Sequence, residues 1–248
     1  MRVRLRLAEC PELADLPWEF LYDRDAHRFL ALSEWTPLVR YLDLPSRVRP
    51  LAVQPPVRIL VMVASPSDFP ALDVEAEWEK LREALSDLEQ AGRVEVHRLA
   101  DGTLGRLQRQ LRKAEYHVFH FIGHGAYGEG VGDGLLALEG PLGRGELVSG
   151  DDLGTLLHDH RTLRLALLNS CEGARAGRTD PYAGTAQSLI RNGIPAVVAM
   201  QFEITDEAAI TFSRSLYEAV ADGYPLDASV AEARKAVRHH SNSNMDGD

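Results

Sequence analysis

After about residue 56 the apolar positions switch repeatedly between two periods, and the switches lay out the chain. Residues 57–65, VRILVMVAS, form a continuous β-branched run, the pattern of a strand buried on both faces of a parallel sheet. Residues 73–91 place Trp78, Leu81, Leu85 and Leu88 at helical spacing and predict a helix that stops before Gly92. The alternation continues with a strand at 94–100, a helix from Thr103 to about Lys113, and a strand at 116–124. A helix capped near Ser149 or Asp151, a strand at 163–171, a helix at 183–192 and a strand at 196–202 follow, with helices near 206–221 and 227–238. This order predicts an α/β fold, a mostly parallel sheet with helices on both faces and right-handed crossovers. Functional residues of such sheets gather at the carboxyl ends of the strands.

Residues 1–56 lack that alternation. LPWEFLYDRDAHRFLALSEWTPLVRYLDLP mixes short strands, turns and two of the three tryptophans, and the Pro-rich PSRVRPLAVQPPV follows it. The expected organisation is an N-terminal extension, 1–56, packed on a core domain, 57–240, with a polar, disordered tail at 241–248.

Composition changes this picture little: 45% hydrophobic and 26% charged residues describe a chain that folds. The net charge of -10 argues against a nonspecific electrostatic grip on nucleic acid or anionic lipid, so neither a nucleic acid nor a membrane is an expected partner. The two cysteines, Cys10 and Cys171, cannot build a disulfide framework or a thiolate zinc cluster. With no signal-peptide pattern and no run of about 20 apolar residues, a soluble, cytoplasmic protein is expected.

The candidate chemistry starts at YHVFHFIGHGAYGEGVGDG, residues 116–134, where an apolar strand runs into a histidine between two glycines. Gly123 to Gly128 match G-x-G-x-x-G, but a dinucleotide loop opens directly into a helix, and here the strand-like LLALEG follows. A metal site fares no better. His120 and His124, four residues apart on a strand at about 3.3 Å per residue, stand roughly 13 Å apart, too far to share one ion. Alone, His124 would be a polar residue where a strand meets solvent.

It has a counterpart in LALLNSCEGARAG, residues 165–177, where a second buried strand ends in Cys171, 47 residues after His124. A cysteine on a core strand is ordinarily a small hydrophobe. If the two strands are parallel neighbours, however, imidazole and thiol meet at one rim. The imidazole can then deprotonate the thiol and protonate a leaving amine. The amides of Gly125 and Cys171 are candidates to hold an oxyanion.

Several segments carry a resemblance at this point: HFIGHGAYG and LLNSCEGA, LPWEFLYD and TPLVRYL upstream, RILVMVASPSD, GIPAVVAMQFEITDEAAITF and ASVAEARKAV. As a set, over about residues 13–238, they resemble the CHAT domain, a family of caspase-like cysteine peptidases related to separase. The resemblance implies a caspase-like sheet without cofactor or metal, with His124 as general acid–base and Cys171 as nucleophile. It also implies a specificity pocket beside the nucleophile, for which Glu203, Asp206 and the more distant Asp180 are candidates to read an arginine or lysine side chain. Asp206 has a second explanation, since a carboxylate is favoured in the first turn of a helix. Arg175 and Arg178 would suit self-cleavage by an enzyme with that preference.

The chain departs from the family pattern in two ways. Family members close with a further strand after the EARKAV helix, and many carry tetratricopeptide repeats. Neither is seen in this sequence: the sheet lacks an edge strand or the sequence is truncated before it, and a regulatory protein partner is expected to act in trans or to lie outside this sequence. Two functions follow. One is a cysteine endopeptidase acting on a protein or peptide substrate as a partner-activated bacterial effector. The other is a catalytically inactive CHAT-fold interaction module.

Overall fold

The computed structural model describes residues 2–7, 10, 13, 16–42, 53–127, 134–170, 181–200 and 205–245. Cys171, Asp180, Glu203, Arg175 and Arg178 lie outside them. The chain forms two compact units, Ser46–Asp206 and a second made from Met1–Pro45 with Glu207–Asp248.

The second unit begins with short elements: β1 (Val3–Leu5), β2 (Tyr22–Asp23), β3 (Arg28–Phe29) and β4 (Leu38–Arg40). β1 and β4 pair in parallel, while β2 and β3 form an antiparallel hairpin. Two of the motifs that carried the family resemblance interlock here. Glu19 of LPWEFLYD accepts from Arg40 of TPLVRYL through both carboxylate oxygens, at 3.1 and 3.0 Å, and the Trp18 ring donates to the Leu13 carbonyl at 2.7 Å.

The sheet unit is built from β5 (Val57–Val63), α1 (Val74–Gln90), β6 (Val94–Arg98), α2 (Leu104–Leu111), β7 (Val118–Tyr127), β8 (Gly134–Glu139) and β9 (Gly145–Ser149). It continues with α3 (Gly150–His158), β10 (Leu165–Ser170), α4 (Pro181–Arg191) and β11 (Ala196–Ala199). Local chemistry sets the helix ends. Asp73, Thr103 and Ser149 cap α1, α2 and α3 by accepting from the amides of Ala76, Arg106 and Asp152. Gly92, at φ +67°, turns the chain out of α1 in the left-handed region that glycine adopts without a Cβ clash.

Five strands run parallel in the order β6-β5-β7-β10-β11, which is 2-1-3-4-5 in chain order. The connections reverse direction between β5 and β7, so a crevice opens at the carboxyl ends of those two strands. Alternation along the strands divides the side chains between two faces. Leu60, Met62, Phe119, Phe121, Ala166 and Leu168 form one core with leucines of α2, α3 and α4. α1 packs on β5 and β6, and its buried Leu81, Leu85 and Leu88 stand outside that core, on the other face. The expected mixed α/β architecture with a mostly parallel sheet is therefore the observed one.

Three features differ from the sequence expectation. β7 does not end at His124. It runs on to Tyr127 because an antiparallel hairpin of β8 and β9 pairs with its last residues, His124 opposite Ala137 and Tyr127 opposite Gly134. The last helices, α5 (Asp206–Ala221) and α6 (Leu226–Met245), share the compact unit of the N-terminal segment, where the expectation had given 57–240 to the core. Side-chain contacts account for this: Asp227 pairs with Arg2, and the Arg238 guanidinium lies 5.0 Å from the Phe29 ring centre. Finally, α6 continues through residues 241–245, into the segment expected as a tail. Among the described residues no helix is long and apolar enough to cross a membrane.

Candidate active site

Neighbouring strands in parallel register bring the site together. Asn169 of β10 lies opposite Ile122 of β7, and Ser170 lies opposite Gly123. His124 is the next residue along β7, at the rim where the connections reverse direction.

Its imidazole is 2% exposed and has one polar partner among the described residues: Nε2 lies 2.8 Å from the Pro70 carbonyl oxygen. A carbonyl only accepts, so Nε2 carries the hydrogen and donates it. Nδ1 then keeps its lone pair, and it is buried without a hydrogen-bond partner among the described residues. The Phe69 ring stacks on the imidazole, with centroids 5.5 Å apart and planes at 26°. Burial pushes the His124 pKa down, while the Pro70 hydrogen bond offsets part of that effect. The result is a neutral imidazole of fixed tautomer with an unused basic nitrogen, which is what a general base requires.

The flanking glycines have a packing role. A Cβ on Gly123 would stand 2.7 Å from the Phe121 ring and 3.0 Å from the Ala64 carbonyl oxygen. Gly125 is buried and paired with Leu136 in the β7–β8 ladder. His120, on the same strand face, is 1% exposed, and burial alone drives its pKa to about 3, so it is neutral. Asn169 is 2% exposed, and its Oδ1 is buried without a partner among the described residues.

Of the candidate pocket residues, Asp206 is described. It opens α5, and its carboxylate accepts from Lys80 Nζ at 2.8 Å and shares a hydrogen bond with Glu77. The Glu77 side chain is 4% exposed, and its carboxyl also stands 3.6 Å from Lys80. Burial, reinforced by the neighbouring Asp206, raises its pKa to about 7. A proton shared between the two carboxyls, with Lys80 over them, satisfies all three groups.

The raised pKa has a consequence for stability. Between its ordinary pKa of about 4.3 and 7, Glu77 binds more protons folded than unfolded, so its contribution to stability falls as pH rises through that window. Glu77→Gln mimics the protonated acid. It is expected to raise stability at pH 8 by up to about 3 kcal/mol, with little change at pH 4, because one pKa unit corresponds to about 1.4 kcal/mol and the raised value already includes the opposing charge of Lys80. Urea denaturation of both proteins at the two pH values measures the difference.

The sequence reading missed the Pro70 carbonyl, the Phe69 ring, and the Glu77 and Lys80 partners of Asp206. No local signal marks them. SPSDFPALD reads as a polar turn, and the histidine it serves lies 54 residues away.

A 2-1-3-4-5 parallel sheet with an oriented, buried imidazole at its carboxyl rim defines an α/β protein built like the caspases. The chain belongs to the CHAT domain family, whose model matches residues 1–246, essentially its whole length. The comparison with curated proteins found no match.

Proposed function

We propose that this CHAT domain is a cysteine endopeptidase with His124 as general acid–base and Cys171 as nucleophile. The observation that carries the reading is His124 itself, its Nε2 hydrogen committed to Pro70 and its Nδ1 without a partner among the described residues. Register supports the partner. Ser170 is level with Gly123, and Cys171 and His124 are the residues that follow these two in the sequence.

In the proposed reaction, Nδ1 takes the Cys171 proton and the thiolate attacks the scissile carbonyl carbon. A C–S bond forms, and the oxyanion accepts hydrogen bonds from the Gly125 and Cys171 amides. The imidazolium returns its proton to the leaving nitrogen as the C–N bond breaks. Water, deprotonated by Nδ1, then opens the thioester and releases the acid. Glu203, Asp206 and Asp180 would favour a lysine or arginine before the cut. For Asp206 this requires a substrate cation to displace or join Lys80. The buried imidazole suits an enzyme that a protein partner opens in trans, as expected of a bacterial effector.

A thiol-reactive peptide carrying arginine before its warhead is expected to label Cys171 and spare Cys10. Cys171→Ala should remove both the label and peptide cleavage. A scan of residues before the cut should favour arginine and lysine, and Glu203→Ala should flatten that preference. Labelling that persists in Cys171→Ala would sink the nucleophile assignment and leave the inactive interaction module as the reading.

A further inference from the structure

The loop that orients His124 is itself held from outside. Residues 64–72 supply both the Phe69 ring and the Pro70 carbonyl. Inside the loop, Leu72 N donates to Ser65 Oγ at 3.0 Å and Phe69 N donates to the Pro66 carbonyl at 3.1 Å. The outer anchors come from the β8–β9 hairpin. Ser67 N donates to the Gly143 carbonyl at 2.8 Å, and Gly145 N donates to Asp68 Oδ1 at 2.6 Å.

Glu139, the last residue of β8, makes the connection widest. Its Oε1 accepts from Ser65 N at 3.2 Å and its Oε2 from Gly102 N at 3.0 Å, while its own amide donates to the Gly102 carbonyl at 2.9 Å. One side chain thus joins the segments leaving β5 and β6. It does so from a strand whose Ala137, two residues back, lies opposite His124.

We infer that Glu139 is a positioning residue for His124, its carboxylate clamping the Ser65 and Gly102 amides so that the Pro70 carbonyl stays on Nε2. Glu139 itself touches neither the imidazole nor a reacting atom. A carboxylate suits the place because both of its oxygens accept, and two amide donors point at it. Glutamine would turn an NH2 toward one of them, replacing a hydrogen bond with two facing donors. Without its anchor the loop shifts, the Pro70 bond loosens, and the proton redistributes between the ring nitrogens. Nδ1 is then a lone-pair base for only part of the time. The catalytic consequence rests on the peptidase reading, but the tautomer does not.

Long-range proton–nitrogen correlation spectra of the full chain, with 15N-labelled histidine, read the tautomer directly. The unaltered protein should show His124 with hydrogen on Nε2 and a bare Nδ1. Glu139→Gln should give a mixed tautomer and lower kcat by about 10-fold or more at unchanged KM, as loss of an outer partner does at other oriented histidines. Asp68→Asn, which keeps an acceptor for Gly145 N, should leave the tautomer intact. Where Glu139→Gln does not fold, Glu139→Asp retracts the same charge by one methylene and should mix the tautomers too. A folded Glu139 variant that keeps the pure Nε2–H form overturns the inference. Absence of any Cys171-dependent turnover in the unaltered protein would instead overturn the peptidase reading, and the spectra would still decide the role of Glu139.

Discussion

Replacement of His124 by alanine is expected to lower Cys171-dependent cleavage at pH 7 by about 10²–10⁴-fold, the range for loss of a positioned general base. The size follows from the state of the imidazole. Burial holds the ring neutral, the Pro70 carbonyl holds its hydrogen on Nε2, and Nδ1 has no competing partner among the described residues. Without it, a thiol with an ordinary pKa of about 8.5 is mostly protonated at neutral pH. The deficit should therefore shrink toward pH 9.5, where hydroxide supplies the thiolate, although the leaving amine still lacks its acid. In the unaltered enzyme the acid limb of kcat/KM should lie below 6.5, the ordinary histidine value, because burial shifts His124 downward. Near-normal cleavage by His124→Ala at pH 7 would remove the base from the mechanism.

The second large effect concerns the glycine before it. Gly123→Ala is expected to destabilise the protein by about 1–3 kcal/mol, the usual cost of overpacking a core. Its Cβ would lie 2.7 Å from a Phe121 ring that is 0% exposed and 3.0 Å from the backbone oxygen of Ala64. Neither neighbour has space to yield. The ring is wedged in the main core, and Ala64 is fixed through its amide, which donates to the Ile122 carbonyl at 2.9 Å. In a domain of this size, ~2 kcal/mol lowers Tm by about 4–8 °C. Relief of the strain would move the part of β7 that carries His124, so activity should fall further than stability alone explains. An unchanged Tm would show that β7 can bend away at this point.

Gly123 also shows what a sequence can and cannot disclose. The sequence places a glycine on each side of His124 and does not say what either one packs against. The structure gives Gly123 a steric reason, the Phe121 ring and the Ala64 carbonyl, the latter contributed by the loop that follows β5, nearly sixty residues upstream. Asp206 makes the same point. Its place at a helix start was legible, but its engagement by Lys80, 126 residues away, was not. The end of β7 was misjudged for a related reason. Glycine-rich sequence suggests that a strand stops, whereas pairing with β8 prolongs it.

The sequence by itself determined the alternating strands and helices of the parallel sheet, the helix starts near Asp73, Thr103 and Ser149, and the apolar run of β7 that leads into His124. These follow from local periodicity and from side chains bonding within a few residues. Only the tertiary structure decided which strands are neighbours, the register that sets Ser170 against Gly123, and the ring nitrogen of His124 that keeps its lone pair. Those depend on contacts across 54 residues to Pro70 and, through Glu139, across 74 to Ser65. A backbone carbonyl carries no side-chain signature, so its role is set only when the chain closes around it.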